Sequence, residues 1–266
     1  MKIARWTIAS EQWKGRPDTQ IALLADPHVI WPWMTPARLA EIVEAINQLA
    51  PDVVLLLGDY VGTHLIGRQI EPAAGIAPFK KLSARYGVYA VIGNHDISGP
   101  GNWPAALKDT GIPVLENRAL FIDHGRFWIA GLEDKRWQQP DVGKALGDVK
   151  DDNPVILMMH SPDSFPEVPE SVVLTVAGHT HGGQIRFPFL GAVPLVVPSA
   201  FGSRYAYGHI IEGGRHLVVS GGIGTSGIPV RFLMPPEIVM VTLTAAPSRL
   251  REPSGKQKYA ARHGTS

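Results

Sequence analysis

The stretch VAGHTHGGQ, Val176–Gln184, ends an apolar run (Val172, Val173, Leu174, Val176) with two histidines one residue apart among glycines. At a strand end the side chains of i and i+2 leave on the same side, so His179 and His181 can converge on one point. The glycines beside them let the backbone come close to whatever sits there. On this stretch alone, metal ligation and a polar turn that merely contains two histidines are both open readings. The rest of the chain decides between them.

Working outward, the same arrangement recurs. IALLADPH puts Asp26 and His28 after an apolar run, DVVLLLGDY puts Asp59 after the next, and VYAVIGNHD puts Asn94, His95 and Asp96 after a third. PVILMMH adds His160, directly upstream of the opening stretch. Each apolar run has strand length, and open α/β folds assemble their sites at the carboxyl ends of strands. Each block alone is a weak signal; five in succession make a strong one. Asp26, His28, Asp59 and His181 would surround one cation, and Asp59, Asn94, His160 and His179 a second, with Asp59 shared. Two divalent ions outweigh two carboxylates, and the remaining ligands are neutral, so the centre would stay positive and attract a phosphoryl oxygen. Ions roughly 3.5–4 Å apart acidify a shared water and clamp the attacking and leaving oxygens.

Composition narrows the chemistry. The chain has 266 residues, 45% hydrophobic and 18% charged, ordinary values for a globular enzyme with a sizeable core. A net charge of +1 gives no reason to expect nucleic acid as a partner, and no obligate protein partner is evident. With no Cys, thiolate metal sites and cysteine nucleophiles are excluded. Any metal must be held by His, carboxylate, amide or water, which suits Mn, Fe, Zn or Mg rather than soft ions. No apolar run approaches the roughly 18 residues of a membrane span, and MKIARWTIASEQWKGRPD lacks the apolar core of an export signal. The expectation is a soluble, cytoplasmic protein, with contact at the inner membrane surface as an alternative.

The element pattern alternates short strands and helices in the first half. TPARLAEIVEAINQLA carries a helical stripe (Leu39, Ile42, Val43, Ile46, Leu49), opened by Thr35 as N-cap and Pro36 in the first turn. Further helices are expected at Ala77–Tyr86, Trp103–Thr110 and Trp137–Gly147. The second half is strand-rich: RFWIAGL, PVILMMH, SVVLTVAG, QIRFPF, HLVVSGG and EIVMVTLT. One run without a linker suggests a single domain, 1–245, with two sheets face to face and helices outside. Residues 246–266 are polar and basic and read as a disordered tail.

D-x-H, GD, GNHD, H and GHTHGGQ in this order resemble the calcineurin-like metallophosphoesterase superfamily. Within it the chain is similar to the bacterial phosphodiesterase branch with GHTHGGQ and a C-terminal GTSGIPVRF…PPEI stretch. The resemblance covers Ile21 to Leu243. It implies an α/β, four-layer α/β/β/α sandwich, two divalent ions, and hydrolysis of a phosphate ester or anhydride by a metal-bridging hydroxide. The activity expected is that of a phosphodiesterase or pyrophosphatase acting on a small phosphoester. A lipid-linked substrate, a UDP-diacylglucosamine-type nucleotide sugar, is the alternative, and from another class a non-catalytic metal-binding module. The resemblance also implies that His95 protonates the leaving oxygen, a role an imidazole suits near neutral pH, with Asp96 orienting it; the plainer reading has His95 only bonding its loop. Two departures stand out: Pro27 replaces the common Leu of D-x-H, and this sequence shows no membrane or export segment of the kind common in the branch, as expected of a cytoplasmic member or of a chain trimmed of such a segment.

Other residues divide between readings. His64, just after Asp59, could touch substrate. Arg204 and Arg231 could hold a phosphate by bidentate bonds or form structural salt bridges. VIWPWM, Val29–Met34, either packs on the following helix or forms an exposed apolar rim that grips an acyl chain or the membrane surface.

Overall fold

The computed structural model describes residues 1–188, 191–192 and 197–246; residues 247–266, nearly all of the expected tail, lie outside them. Strands β1 (Lys2–Ser10), β2 (Thr19–Leu24), β3 (Val53–Leu56) and β4 (Val88–Ala90) are followed by β5 (Arg118–Ile122), β6 (Phe127–Gly131), β7 (Val155–Met158) and β8 (Val172–Ala177). Then come β9 (Arg186–Phe187), β10 (Gly191–Ala192), β11 (Gly208–Glu212), β12 (Arg215–Val219) and β13 (Glu237–Ala245). The helices are α1 (Pro36–Gln48), α2 (Pro72–Ile76), α3 (Asn94–Ser98), α4 (Trp103–Lys108) and α5 (Val142–Gly147).

One sheet runs β1-β13-β2-β3-β4 and the other β11-β12-β8-β7-β6-β5. The apolar runs that read as buried strands are buried on both faces, as parallel strands between layers must be: every residue of β3, β7 and β8 is buried. Ile8, Leu23 and Leu55 of the first sheet meet Ile129, Ile156 and Leu174 of the second. Leu39, Ile42, Val43 and Ile46 of α1 cover the outer face of the first sheet with Trp103 of α4. Ala145 of α5, Phe165 and Tyr205 cover the second. The architecture is the expected single-domain α/β/β/α sandwich. Thr35 caps α1 by accepting the Arg38 N–H at 3.3 Å. Among the described residues no helix is long and apolar enough to cross a membrane.

Some elements differ from the sequence reading. The helix expected at Ala77–Tyr86 begins earlier, at Pro72 under a Glu71 cap, and tightens into a 3-10 turn over Ala77–Lys81 around Pro78. Beyond it Ser83 N–H donates to Asn47 and Tyr86 N–H to the Asp52 carbonyl, so the chain leaves the helix. The helix from Trp137 starts only at Val142, after Pro140, with Asp141 capping Lys144. QIRFPF contributes two residues to a hairpin with β10 rather than to a main sheet. Strands β1, β5 and β11, none of them predicted, lie at sheet edges.

Trp103 is fully buried and packs where Gly75 leaves room for its ring. Trp103→Ala should cost about 3–5 kcal/mol in urea unfolding while leaving metal uptake intact, because the cavity opens on the outer face of the sheet.

Candidate metal centre

The clusters do gather at the carboxyl ends of the strands, by a different local geometry than strand alternation. β2 ends at Leu24, β3 at Leu56 and β8 at Ala177, short of the polar residues. Asp26, His28, Asp59, His179 and His181 all have left-handed backbone, with φ between 46° and 70°. Such a conformation costs a non-glycine residue roughly 1–2 kcal/mol. The convergence of i and i+2 therefore comes from strained loops, not from a pleat. Asn94, His95 and Asp96 likewise open helix α3 rather than ending a strand.

Asp26, His28 and His181 form one group and Asp59, His160 and His179 a second, each with its ligand atoms within 4.8 Å of one another, and all six residues are largely buried. The two histidines of the opening stretch thus belong to different groups. Asp59 Oδ2 joins the groups, 3.6 Å from His28 Nε2 and 3.2 Å from His160 Nε2. Asn94 Oδ1 lies 3.2 Å from His160 Nε2.

The donor set fits a cation. His28 Nδ1–H donates to the Val61 carbonyl at 2.9 Å and His160 Nδ1–H to the Leu57 carbonyl at 2.7 Å, which turns both Nε2 atoms inward. His160 Nε2 then faces three acceptor-capable atoms: Asp59 Oδ2, Asn94 Oδ1 and, at 3.1 Å, His179 Nδ1. One proton can bond only one of these well, whereas a divalent ion takes them all. The titration behaviour carries the same message. Burial pulls the His160 imidazole down, but Asp59, Asp26 and Asp134 override it and push it up to about 10. Burial, joined by the Asp59 charge, raises Asp26 to about 7. Burial opposes ionisation of Asp59 too, yet the surrounding histidines, His160 foremost, hold it well below the ordinary carboxylate range. Burial lowers His28 to about 4 and, with His160, His179 to about 3, so both are neutral at neutral pH and could each offer a lone pair to a cation.

Asp96 holds the frame, and its expected role needs correcting. Its carboxylate accepts backbone N–H bonds from Gly93, Asp59, Tyr60 and Val61, at 2.7–3.1 Å, and none of its hydrogen bonds involves His95. It ties the GD loop to the GNHD loop. A Cβ on Gly93 would overlap Asp59 N and Oδ1, so only glycine lets the two loops touch here. The group that meets His95 is Thr63, whose Oγ1 is 2.7 Å from Nδ1. His95 lines a cleft of about 610 Å³ together with Asp59, Asn94, His179, His181 and Arg136.

The remaining candidates separate. His64 stands beside the centre, with Nε2 2.7 Å from Thr225 Oγ1 and its ring edge-on to His28. Arg231 abuts His181 at 3.3 Å but donates to the Gly224 and Met234 carbonyls, so it is a wall of the site rather than a free clamp. Arg204 is paired with Glu212 at 2.8 Å and is absent from the cleft lining, which favours its structural reading. In VIWPWM, Val29, Ile30 and Met34 are buried, Trp31 is exposed and Trp33 is half-buried. Thr63 and Arg136 escaped the sequence reading; neither stands in a motif, and only the folded chain brings Thr63 to His95 and Arg136 to the cleft.

The family model for calcineurin-like phosphoesterases matches residues 19–183. The chain belongs to that family. An uncharacterized metallophosphoesterase of Bacillus subtilis is 31% identical over 84% of this chain and 78% of its own length. One from Aquifex aeolicus is 27% identical over 91% and 92%. A zebrafish protein named as a transmembrane protein with metallophosphoesterase domain is 30% identical over 85% of this chain but 53% of its own length. This calcineurin-like chain is a metal-dependent phosphoesterase, and divalent metal ions are its cofactors.

Two outcomes follow from the geometry. A cation must displace the His160 proton, and near neutrality part of an Asp26 proton as well, so metal affinity should rise about tenfold or more per pH unit between about 6 and 8. Calorimetric titration in buffers of different ionisation enthalpy should register released protons; none released would contradict the assignment. Asp96→Ala strands four buried N–H groups and should lower stability by about 3 kcal/mol or more, read by denaturant unfolding, and weaken metal uptake through the loosened Asp59 loop.

Proposed function

We propose that the chain hydrolyses a phosphodiester or a diphosphate linkage at a pair of divalent cations, manganese, iron or zinc. The reading rests on one observation: two Asp/His groups joined through Asp59, beside a cleft whose wall also holds His95. Asp26, His28, Asp59 and His181 would hold one ion, and Asp59, Asn94, His160 and His179 the other. Ions bound there supply Lewis acidity and activate water.

The chain's own residues do the rest. Thr63 against Nδ1 keeps the His95 ring in one orientation and leaves Nε2 for the cleft. As the oxygen of water bonds to phosphorus and the bond to the leaving oxygen breaks, His95 hands a proton to that departing oxygen. Asp96 acts at one remove, as a positioning residue for Asp59. Arg136 offers a cation to a phosphate oxygen, while Ile185, Phe187 and Ile228 give the cleft an apolar wall. A volume of about 610 Å³ has room for an organic group on each side of a phosphate, which supports a diester or diphosphate.

Bis-p-nitrophenyl phosphate with added Mn²⁺ tests the reading, and nitrophenol release should depend on the metal. His95→Ala should lower turnover by about 10²–10⁴-fold with metal content unchanged. Asp59→Asn should lose turnover and metal together. Metal loss in His95→Ala would overturn the division of roles, and no metal-dependent release would favour a non-catalytic metal-binding module.

A further inference from the structure

We infer that the rim of the cleft is a docking surface for a lipid bilayer that bears anionic headgroups. Three loops build the rim. Trp31 follows the Asp26/His28 block, Leu65 and Ile66 follow Asp59, and Ile228, Phe232 and Leu233 lie in the loop before β13. Leu65 is 86% exposed, Ile66 70% and Trp31 50%, and the other three are about half exposed. Single exposed apolar residues are ordinary, but six on adjoining loops are not.

The loops are fixed to one another. Trp31 and Arg68 exchange backbone hydrogen bonds, Leu65 N–H donates to the Gly227 carbonyl at 3.2 Å, and Trp33 Nε1–H donates to the Ile66 carbonyl at 3.4 Å. Leu233 has a φ of 53°, a conformation a branched side chain adopts only at a cost, and it still presents its side chain to water. Ile228 belongs to both the rim and the cleft lining, so whatever seats on the rim meets the mouth of the site.

Charge selects the occupant. Residues 29–38, 61–70 and 223–234 contain no Asp or Glu, in a chain whose acids and bases nearly balance; Arg231 is held inward by the Gly224 and Met234 carbonyls, which leaves Arg38 and Arg68 as the cations of these loops. The Arg68 guanidinium lies 5.2 Å over the Trp31 ring, and Arg38 donates to the Trp33 carbonyl at 2.9 Å. Tryptophan flanked by arginine, beside protruding aliphatic side chains, is the composition that settles at the headgroup boundary. A second copy seated here would close both clefts. A bilayer leaves the cleft supplied, with phosphate groups carried by lipids. Docking stands without the phosphoesterase reading; only the delivery of a lipid-borne phosphate rests on it.

Co-sedimentation with phosphatidylcholine vesicles, with and without phosphatidylglycerol, tests the inference. The wild-type protein should partition onto the mixed vesicles, more weakly onto the neutral ones. The double variant Leu65→Glu, Ile66→Glu should lose at least about tenfold in partitioning, with thermal midpoint, metal content and bis-p-nitrophenyl phosphate turnover unchanged. Should the double variant fail to fold, Trp31→Ala serves in its place. Wild type left in the supernatant with both vesicles, or a folded variant that binds as well as wild type, would overturn the inference. So would a dimer in sedimentation velocity that the variant dissolves while vesicles bind neither protein. Absent hydrolysis with intact vesicle binding would count against the proposed function alone.

Discussion

Lone pairs crowd around one buried point, and the protein has too few protons to put between them. Backbone carbonyls turn the inner nitrogens of His28 and His160 toward the Asp59 carboxylate, and the side chains of Asn94 and His179 close in from the other side. In water each of these acceptors would find a donor. Here Asp59 Oδ2, Asn94 Oδ1 and His179 Nδ1 share the single proton of His160 Nε2, and poorly met buried acceptors are expensive. Positive charge is the remaining remedy. The strained backbone at Asp26, His28, Asp59, His179 and His181 adds to the cost of holding this arrangement. Binding a cation to the folded chain alone therefore contributes directly to holding these loops in place.

The division of labour along the chain follows from that. Every residue assigned to the cations, from Asp26 to His181, falls inside the segment matched by the family, residues 19–183. The residues that shape the far wall of the cleft, Gln184, Ile185, Phe187, Ser226 and Ile228, fall outside it. Reaction chemistry and cleft shape are thus built from separate stretches of sequence. Gln184 couples them: its side-chain amide bonds Ser226 N–H, the Ser226 carbonyl and the Ile228 carbonyl.

The sandwich and the gathering of polar clusters were legible because uninterrupted apolar runs mark strands buried on both faces. Edge strands escaped for the converse reason. β1 and β5 mix exposed and buried positions and carry charge within their span, as in Lys2, Arg5 and Arg118. The Asp and His residues that gather in the two groups could be picked out by residue type and order, but the backbone that brings them together could not, since left-handed aspartate and histidine leave no mark in a sequence. Nor could the task of Asp96. Its four bonds run to N–H groups, which every residue here possesses, so the motif suggested a side-chain partner where the fold supplied main chain. Thr63 meets His95 across 32 positions, a contact no local spacing encodes.

One topological detail bears on how the chain comes to be folded. β13 lies between β1 and β2, parallel to the first and antiparallel to the second. A ribosome that has released only the first two hundred residues has made both neighbours but not the strand that separates them. Until Glu237–Ala245 emerges, the nascent chain keeps an open slot with two bare hydrogen-bonding edges, and β2, the strand that leads into Asp26 and His28, borders that slot. Loop closure across most of the polypeptide must precede completion of the sheet, which makes assembly slow and late. The interval before closure is when a chaperone has most to shield.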